Sequence, residues 1–304
     1  MDAPKANAAS SRPLPRRDEF DEEGYLLLHP DVAAAVAAGV VGSGWQHFML
    51  HGATESRRWL SQTDRMLGVS PEVFPDDEMF LGDKQHYFDV GDSALYCIES
   101  ALRSVHKRRE TVGRILDLPC GHGRVMRFIR KAFPHAHLIA CDVNSSGVEF
   151  CARTFAAEPV VSVEDVARIP LEGEFDLIWC GSLLTHLSRS RCAAFLDLFR
   201  RVLAVGGVLV FTLHGRSYEQ TLVNGRDLSL LTAEQIAALL AEYRRTGFGY
   251  VDYSGGSGYG FSLAHPSFVT STLIAEPGWR LVGYHERGWD MRQDVIFLQK
   301  ESHS

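Results

Sequence analysis

A carboxylate followed closely by two glycines is the most informative chemical pattern in the sequence. Asp117 precedes Gly121 and Gly123 in the segment RILDLPCGHGRVMRFIRKAF. Glycines let the backbone approach a ligand closely, and a helix beginning near His122 would present free N–H groups to it. The third glycine of a dinucleotide fingerprint is replaced by Met126, and the carboxylate would repel a pyrophosphate. The pattern therefore predicts a positively charged ligand, for example one carrying an amino group and a sulfonium.

Buried strands and helices alternate after this pattern. Apolar segments such as FDLIWC and GVLVFTL indicate strands buried on both faces. The alternation predicts an α/β fold: a Rossmann-like, doubly wound, mostly parallel seven-stranded sheet that ends in an antiparallel hairpin, WRLVGYHE with QDVIFLQK. Ligands bind beyond the carboxyl ends of the strands in such sheets. Strands are expected near 114–118, 137–141, 159–163, 174–180 and 207–213, and helices near 122–133, 145–156, 189–204 and 232–246.

The composition excludes several classes of protein. The 304 residues carry a formal net charge of -7, which argues against a broad phosphate-binding face and a nucleic-acid partner. Six cysteines lie in apolar segments without a CxxC pair, as expected for reduced thiols. No apolar run reaches the length of a membrane span, and the N-terminus lacks the apolar stretch of a signal peptide. These features predict a cytoplasmic protein.

Four regions are expected along the chain. The sequence predicts a disordered tail at 1–17, a small helical module at 18–68, a linker or a loop lying over the next domain at 69–86, and the main domain at 87–304. The segment YFDVGDSALYCIESALRSVHKRR predicts a helix ahead of the first strand. Its expected N-cap is Asp92 or Ser93.

The glycine segment also carries a family resemblance. LDLPCGHGRV resembles the first motif of class I S-adenosylmethionine-dependent methyltransferases, and the resemblance covers about residues 87–300. In that family the acid and the glycines hold the methionine end of the cofactor, S-adenosylmethionine. The commoner family residue at position 119 is glycine, and proline removes one N–H donor there. The residues that inherit the cofactor role are Asp117, Pro119, Cys120, Gly121 and Gly123.

Two later segments extend the implied cofactor site. LIACDVN ends in Asp142, 25 residues after Asp117, where a carboxylate can accept two hydrogen bonds from a ribose diol. The resemblance adds Val143 beside it. In SVEDVARIPL, Asp165 and Val166 match the family's adenine contacts, with Glu164 as the competing acid. The alternative role for Asp165 is that of a helix N-cap.

The loops after the fourth and fifth strands would face the methyl acceptor. FDLIWCGSLLTHLS resembles the family's fourth motif, which implies that Cys180, Gly181 and Ser182 border the cofactor. His186 lies on this loop and His214 ends the next strand, so both could face one acceptor. Histidine suits a general base, although either side chain could instead hydrogen-bond neighbouring backbone. No metal-binding spacing accompanies the two histidines, so no metal ion is expected.

Four further residues are candidate substrate contacts. Arg216 lies on the same rim as His214 and could bind an anionic group or be solvated. Tyr259 and His265 belong to DYSGGSGYGFSLAHPSF, whose glycines and aromatics predict either a mobile substrate loop or a structural turn. Tyr87 begins YFDVG, a segment that could form a lid over the cofactor.

The N-terminal module carries a second resemblance. YLLLHPDVAAAVAAGVVGSGWQHFMLHGATESR resembles a short helical module found on bacterial enzymes of surface glycan assembly and on some secreted proteins. Its core is expected to contain Tyr25, Val36, Trp45 and Phe48. The resemblance implies a bacterial protein of glycan biosynthesis with a saccharide or glycoconjugate acceptor.

The leading hypothesis is a methyltransferase that uses S-adenosylmethionine to methylate a hydroxyl of a sugar or glycan intermediate. The alternatives are a small-molecule O- or N-methyltransferase and a non-catalytic scaffold that keeps the cofactor pocket. Nicotinamide-dependent oxidoreduction is disfavoured by Asp117 and Met126, and a metal-dependent glycosyltransferase by the lack of a DxD pair. The sequence leaves the oligomeric state open.

Overall fold

The computed structural model describes residues 14–17, 19–55, 57, 59, 66–225, 231–253, 256 and 258–302. The chain divides into two compact units, Met1–Val69 and Ser70–Ser304. Residues 1–13 of the expected tail lie outside the described residues.

The first unit is helical and has an aromatic core. Its helices are α1 (Glu22–Leu28), α2 (Pro30–Ala37) and α3 (Gly44–His47), which is followed by a π-helical turn, Phe48–Gly52. Asp21 caps α1 by accepting a hydrogen bond from the Gly24 N–H. The expected core is confirmed, because Tyr25 and Phe48 are buried with Phe20 and Val32 while Val36 and Trp45 pack against them.

The second unit is built on a seven-stranded sheet in the order β3-β2-β1-β4-β5-β9-β8. β1 to β5 are parallel to one another, whereas β9 is antiparallel to both β5 and β8. The predicted α/β architecture and its antiparallel C-terminal hairpin are therefore confirmed. The strands are β1 (Arg114–Asp117), β2 (His137–Asp142), β3 (Glu158–Val161), β4 (Phe175–Cys180), β5 (Leu203–Leu213), β8 (Trp279–Trp289) and β9 (Gln293–Lys300).

Helices cover both faces of this sheet. Leu116 and Ile178 pack in one core cluster, while their neighbours Ile115 and Leu177 pack in another, so alternate side chains are buried on opposite faces. The longer helices of this unit are α4 (Lys84–Ser104), α5 (Met126–Ala132), α6 (Ser145–Phe155), α7 (Arg189–Val202), α8 (Arg216–Val223) and α9 (Ala233–Thr246).

Two helices begin at different residues from those expected. α5 begins at Met126 rather than near His122, because Gly121 and Gly123 have φ angles of 49° and 74° that no right-handed helix contains. α4 begins at Lys84, inside the expected linker, with Asp83 as its N-cap in place of Asp92 or Ser93. The segment YFDVG is thus helical.

The glycine-rich segment near the C-terminus, predicted to be a mobile substrate loop or a structural turn, lies in part on two paired strands. β6 (Phe248–Asp252) and β7 (Gly260–Ala264) pair as a separate antiparallel hairpin. Tyr259 lies next to β7, and His265 follows its last residue. Among the described residues, no helix is long and apolar enough to cross a membrane.

Candidate functional site

An unpaired carboxylate lies at the centre of the sheet edge. Asp117 ends β1 and is 2% exposed, yet neither carboxylate oxygen has a hydrogen-bond partner among the described residues. Burial, and then the neighbouring charge of Asp142, raises its pKa well above the ordinary value. A buried carboxylate without partners is costly. The position is therefore suited to a ligand that supplies hydrogen-bond donors and positive charge.

The second carboxylate at this edge is already bonded. Asp142 accepts the Gly121 N–H at 2.8 Å through Oδ2 and the Asn144 N–H at 2.9 Å through Oδ1. These bonds tie the glycine turn to the end of β2. Each oxygen keeps a further lone pair, so the carboxylate can still accept from a diol. Val143 beside it is 70% exposed and offers an apolar surface.

The other residues of the glycine turn shape it. Pro119 follows a cis peptide bond. The Cys120 N–H donates to the Cys141 carbonyl, and its thiol is buried, so this residue supports the turn from below. A side chain on Gly123 would lie 2.2 Å from the Phe155 ring, and one on Gly147 would lie 2.4 Å from the Gly121 carbonyl oxygen. The glycine turn therefore packs closely against Phe155 and Gly147, and neither Gly123 nor Gly147 has room for a side chain.

A cleft of about 560 Å³ opens beside the end of β3. Asp165 lines it and also caps a short 3₁₀ turn, Val166–Arg168, by accepting from the Ala167 N–H at 3.1 Å. The alternative role for this aspartate, an N-cap, is thus present. Val166 itself is buried. The cleft is lined by Val163, Glu164, Asp165, Arg168 and Arg191.

Two residues outside the predicted site, Thr212 and Gln293, hydrogen-bond Ser182 just after β4. Cys180 is buried in the core, so only its backbone reaches the edge. Gly181 lies against the Trp179 ring. Ser182 adopts a φ of 57°; its N–H donates to Thr212 Oγ1 at 2.8 Å, and its Oγ accepts from Gln293 Nε2 at 2.7 Å.

The two candidate histidines lie together, with ring centroids 6.2 Å apart. His186 Nδ1 contacts the Tyr253 hydroxyl at 2.9 Å and the Gly260 carbonyl at 3.0 Å. A carbonyl can only accept, so Nδ1 carries the hydrogen and Nε2 is an acceptor. Burial lowers the pKa of His186, against the opposing effect of the Gly260 carbonyl.

His214 is more deeply enclosed. It is 4% exposed, and its ring lies 4.1 Å from that of Tyr218 and 4.5 Å from that of Phe261 between centroids. Burial, followed by the nearby His186, lowers its pKa to about 3. Its Nδ1 has no hydrogen-bond partner among the described residues. At neutral pH the ring is therefore an uncharged acceptor.

Of the four candidate substrate residues, only Tyr259 lies beside the histidines. Its ring stacks on His186 at 4.9 Å and is 47% exposed. Arg216 is exposed and forms a two-bond ion pair with Glu286. Tyr87 is buried and donates to Asp77 Oδ2 at 2.6 Å. His265 lines a separate cleft of about 470 Å³ and caps the turn that follows β7.

The segment 70–80, here termed the strap, is fastened beside the glycine turn. Arg127 is 1% exposed; its guanidinium donates to the carbonyls of Gly123, Ser70 and Glu72 at 2.8 to 3.1 Å. The His122 ring stacks on Phe74 of the strap at 4.4 Å. The acidic run and two prolines of this segment predict a linker or a loop over the next domain, but they do not identify Arg127 and His122 as its partners.

No group of three or more histidine, cysteine, aspartate or glutamate side chains is placed to hold a metal ion within the part of the chain that the structure describes.

Comparison with known proteins agrees with this geometry. Residues 115–207 match the family model described as a methyltransferase domain. This segment is therefore similar to methyltransferase domains. Together with the observed sheet order, the match identifies the class I S-adenosylmethionine-dependent methyltransferase fold.

Curated relatives match only part of this chain. It is 27% identical over 137 residues to a malonyl-[acyl-carrier protein] O-methyltransferase of Bacillus cereus, covering 45% of this chain and 50% of that protein. It is 28% identical over 104 residues to a probable phthiotriol/phenolphthiotriol dimycocerosates methyltransferase 2 of Mycobacterium ulcerans, covering 32% and 38%. The chain thus spans half or less of the length of the curated relatives named here.

Two solved methyltransferase structures have backbones similar to that of this chain. An S-adenosylmethionine-dependent methyltransferase from Clostridium acetobutylicum has a TM-score of 0.48 at 12% identity, covering 72% of this chain and 92% of that one. The N-methyltransferase NodS from Bradyrhizobium japonicum has a TM-score of 0.45 at 17% identity, covering 79% and 98%.

Proposed function

We propose that this protein is an S-adenosylmethionine-dependent methyltransferase. The observation that carries the proposal is the unpaired, buried carboxylate of Asp117 next to the glycine turn. The amino group of the cofactor would supply the missing donors, and its sulfonium would add favourable charge. The methyltransferase-domain match over residues 115–207 supports the same assignment.

Residues at the ends of β2 and β3 fit the ribose and the adenine of the cofactor. Asp142 would hold the ribose hydroxyls with its free lone pairs, and Val143 would contact the adenine ring. The cleft that Asp165 lines would receive the base. Arg124 follows the glycine turn, and its guanidinium lies over the Trp289 ring. It could bind the carboxylate at the methionine end of the cofactor.

S-adenosylmethionine, when bound, would supply an electrophilic methyl group. The protein's own part is to orient the acceptor and to exclude water. The rings of His214 and His186 are uncharged at neutral pH. Each can therefore accept a hydrogen bond from the group that is to be methylated. The Tyr259 ring stacks on that of His186.

The acceptor class is the finer part of the proposal. A hydroxyl of a sugar or glycan intermediate is favoured by the resemblance of the N-terminal module to those of glycan-assembly enzymes. A small-molecule O- or N-acceptor is the alternative. The curated relatives named above are a malonyl-[acyl-carrier protein] O-methyltransferase and a probable phthiotriol/phenolphthiotriol dimycocerosates methyltransferase. A non-catalytic scaffold would bind the cofactor without transferring a methyl group.

Calorimetry with S-adenosylmethionine and S-adenosylhomocysteine tests the cofactor assignment. The wild type should bind both, and Asp142→Ala should bind at least about 10-fold more weakly because the ribose contacts are lost. Asp197→Ala removes an exposed carboxylate on α7 and serves as the control, with unchanged affinity. Absence of binding by the wild type, or preferential binding of NAD, would contradict the proposal.

A further inference from the structure

Two buried acceptor atoms without partners lie where β5 ends and β9 begins. They are His214 Nδ1 and Gln293 Oε1, neither of which has a hydrogen-bond partner among the described residues. In the antiparallel β5 and β9 pair the last opposed residues are Leu213 and Asp294. His214 directly follows Leu213, and Gln293 is the first residue of β9. Extending the register by one residue places both side chains on one face of the pair, where opposed Cβ atoms lie about 5 Å apart.

Both side chains are fixed in the orientation that leaves these atoms unpaired. Gln293 Nε2 is engaged by Ser182 Oγ, which directs Oε1 away from the serine. The His214 ring is packed between Tyr218 and Phe261. With its hydrogen on Nε2, the uncharged ring presents a lone pair on the unpaired Nδ1.

The number of hydrogen-bond donors that these two atoms require distinguishes a hydroxyl from an amine as the group to be methylated. A hydroxyl group has one hydrogen and could satisfy only one of the two acceptors. A neutral primary amine has two N–H donors and keeps a lone pair for the methyl group. We propose that the methyl acceptor is a primary amine, whose two N–H groups are bound by His214 Nδ1 and Gln293 Oε1; this inference rests on the proposed S-adenosylmethionine-dependent methyl transfer and selects the N-acceptor alternative over the hydroxyl.

The transfer step is balanced without a further reactant. The lone pair of the amine nitrogen forms the new bond to the methyl carbon, while the carbon–sulfur bond of the sulfonium donor breaks and its electron pair stays on sulfur. The product is a secondary ammonium, which loses one proton to water.

The first test is a transfer assay with the full chain and tritium-labelled S-adenosylmethionine. The substrates are a library of small primary amines, each paired with the alcohol of the same carbon skeleton. Amines should accept the label at least about 10-fold faster than their alcohols, because an alcohol leaves one buried acceptor unpaired. Transfer to alcohols at an equal or higher rate, or to no amine at all, would overturn the proposal.

Variants of Gln293 test the binding contact with the best amine of the library. Gln293→Leu should lower kcat/KM about 10-fold, mainly through KM. Gln293→Glu keeps an oxygen at the Oε1 position and should stay within about 3-fold of wild type. Gln299→Leu makes the same change at the far end of β9, where Gln299 bonds the Gly206 carbonyl, and should leave kcat/KM unchanged. Equal losses at both glutamines would overturn the assignment.

A readout independent of turnover uses the complex with S-adenosylhomocysteine. Titration with the best amine should shift the ¹⁵N signal of His214 Nδ1, whereas the matched alcohol should shift it less. Binding of the amine without a change at His214 would contradict this inference alone. Failure of the cofactor product to bind would overturn the proposed function together with it.

Discussion

The two halves of the candidate site are built differently. The cofactor half consists of residues 114–123 and 142–144, which are close in the sequence, and its unpaired group is the acidic Asp117. The acceptor half consists of Ser182, His186, His214, Tyr259 and Gln293, which come from distant segments, and its unpaired atoms belong to uncharged side chains. Under the two proposals, charge would select the ligand of the first half, whereas the number of hydrogen-bond donors would select the ligand of the second.

The largest expected effect concerns the attachment of the strap to the cofactor half. Arg127→Met should lower the free energy of unfolding by about 3 kcal/mol, because the carbonyls of Gly123, Ser70 and Glu72 lose a buried donor. Cofactor affinity should fall as well, since the glycine turn loses its support. Urea unfolding and calorimetry measure the two quantities.

Arg130→Met is the matched control for this change. Arg130 lies one turn further along α5 and also donates to carbonyls, including that of Phe155, but it is partly exposed. Its loss should cost about 1 kcal/mol and leave cofactor affinity unchanged. If both variants lost affinity equally, the strap contacts would not belong to the cofactor half.

The next effect separates affinity from stability at Asp117. Asp117→Asn should weaken S-adenosylmethionine binding by about 100-fold, or about 2.7 kcal/mol, because the charge-assisted bond to the amino group is lost. The same variant should be more stable than wild type without ligand at neutral pH, by about 1 kcal/mol. Calorimetry and chemical unfolding would record these opposite changes.

The pH dependence of that stability gain has a fixed sign. Burial and Asp142 raise the pKa of Asp117 in the folded state above the ordinary 3.8, so the unfolded chain releases the proton at lower pH than the folded one. Wild-type stability therefore falls, relative to Asp117→Asn, as pH rises from about 4 through the raised pKa. A gain for the variant that was largest at pH 3 would refute an unpaired carboxylate at this position.

The cofactor half was predictable from sequence because its chemistry is local. Asp117, the glycines and Asp142 follow predicted strands directly, and the parallel order of β1 and β2 brings their ends together. The start of α5 was placed too early because the apolar periodicity extends into the turn. Only the positive φ angles of Gly121 and Gly123 reveal that the turn precedes the helix.

The acceptor half was only partly predictable because it depends on tertiary pairing. The two histidines could be placed on one edge from strand order alone. Gln293 is 111 positions from the Ser182 that it contacts, and its place depends on β9 lying antiparallel beside β5. Tyr253 and Tyr218 likewise reach the histidines through the β6–β7 hairpin and α8, whose packing leaves no periodic trace in the sequence.

The smallest expected effect concerns the contact between His186 and Tyr253. It tests whether this contact alone keeps the hydrogen of His186 on Nδ1. Tyr253→Phe removes one partner of His186 Nδ1 but leaves the Gly260 carbonyl, which alone keeps the hydrogen on Nδ1. The rate of transfer to the best amine should therefore fall only about 2- to 3-fold, with unchanged cofactor affinity. Tyr250→Phe, which removes a hydroxyl bonded to Asp252 in the same hairpin, should have no effect on the rate. A loss above about 100-fold would mean that the Tyr253 hydroxyl binds the acceptor itself, and a loss of cofactor affinity would mean that the two halves are not energetically separate.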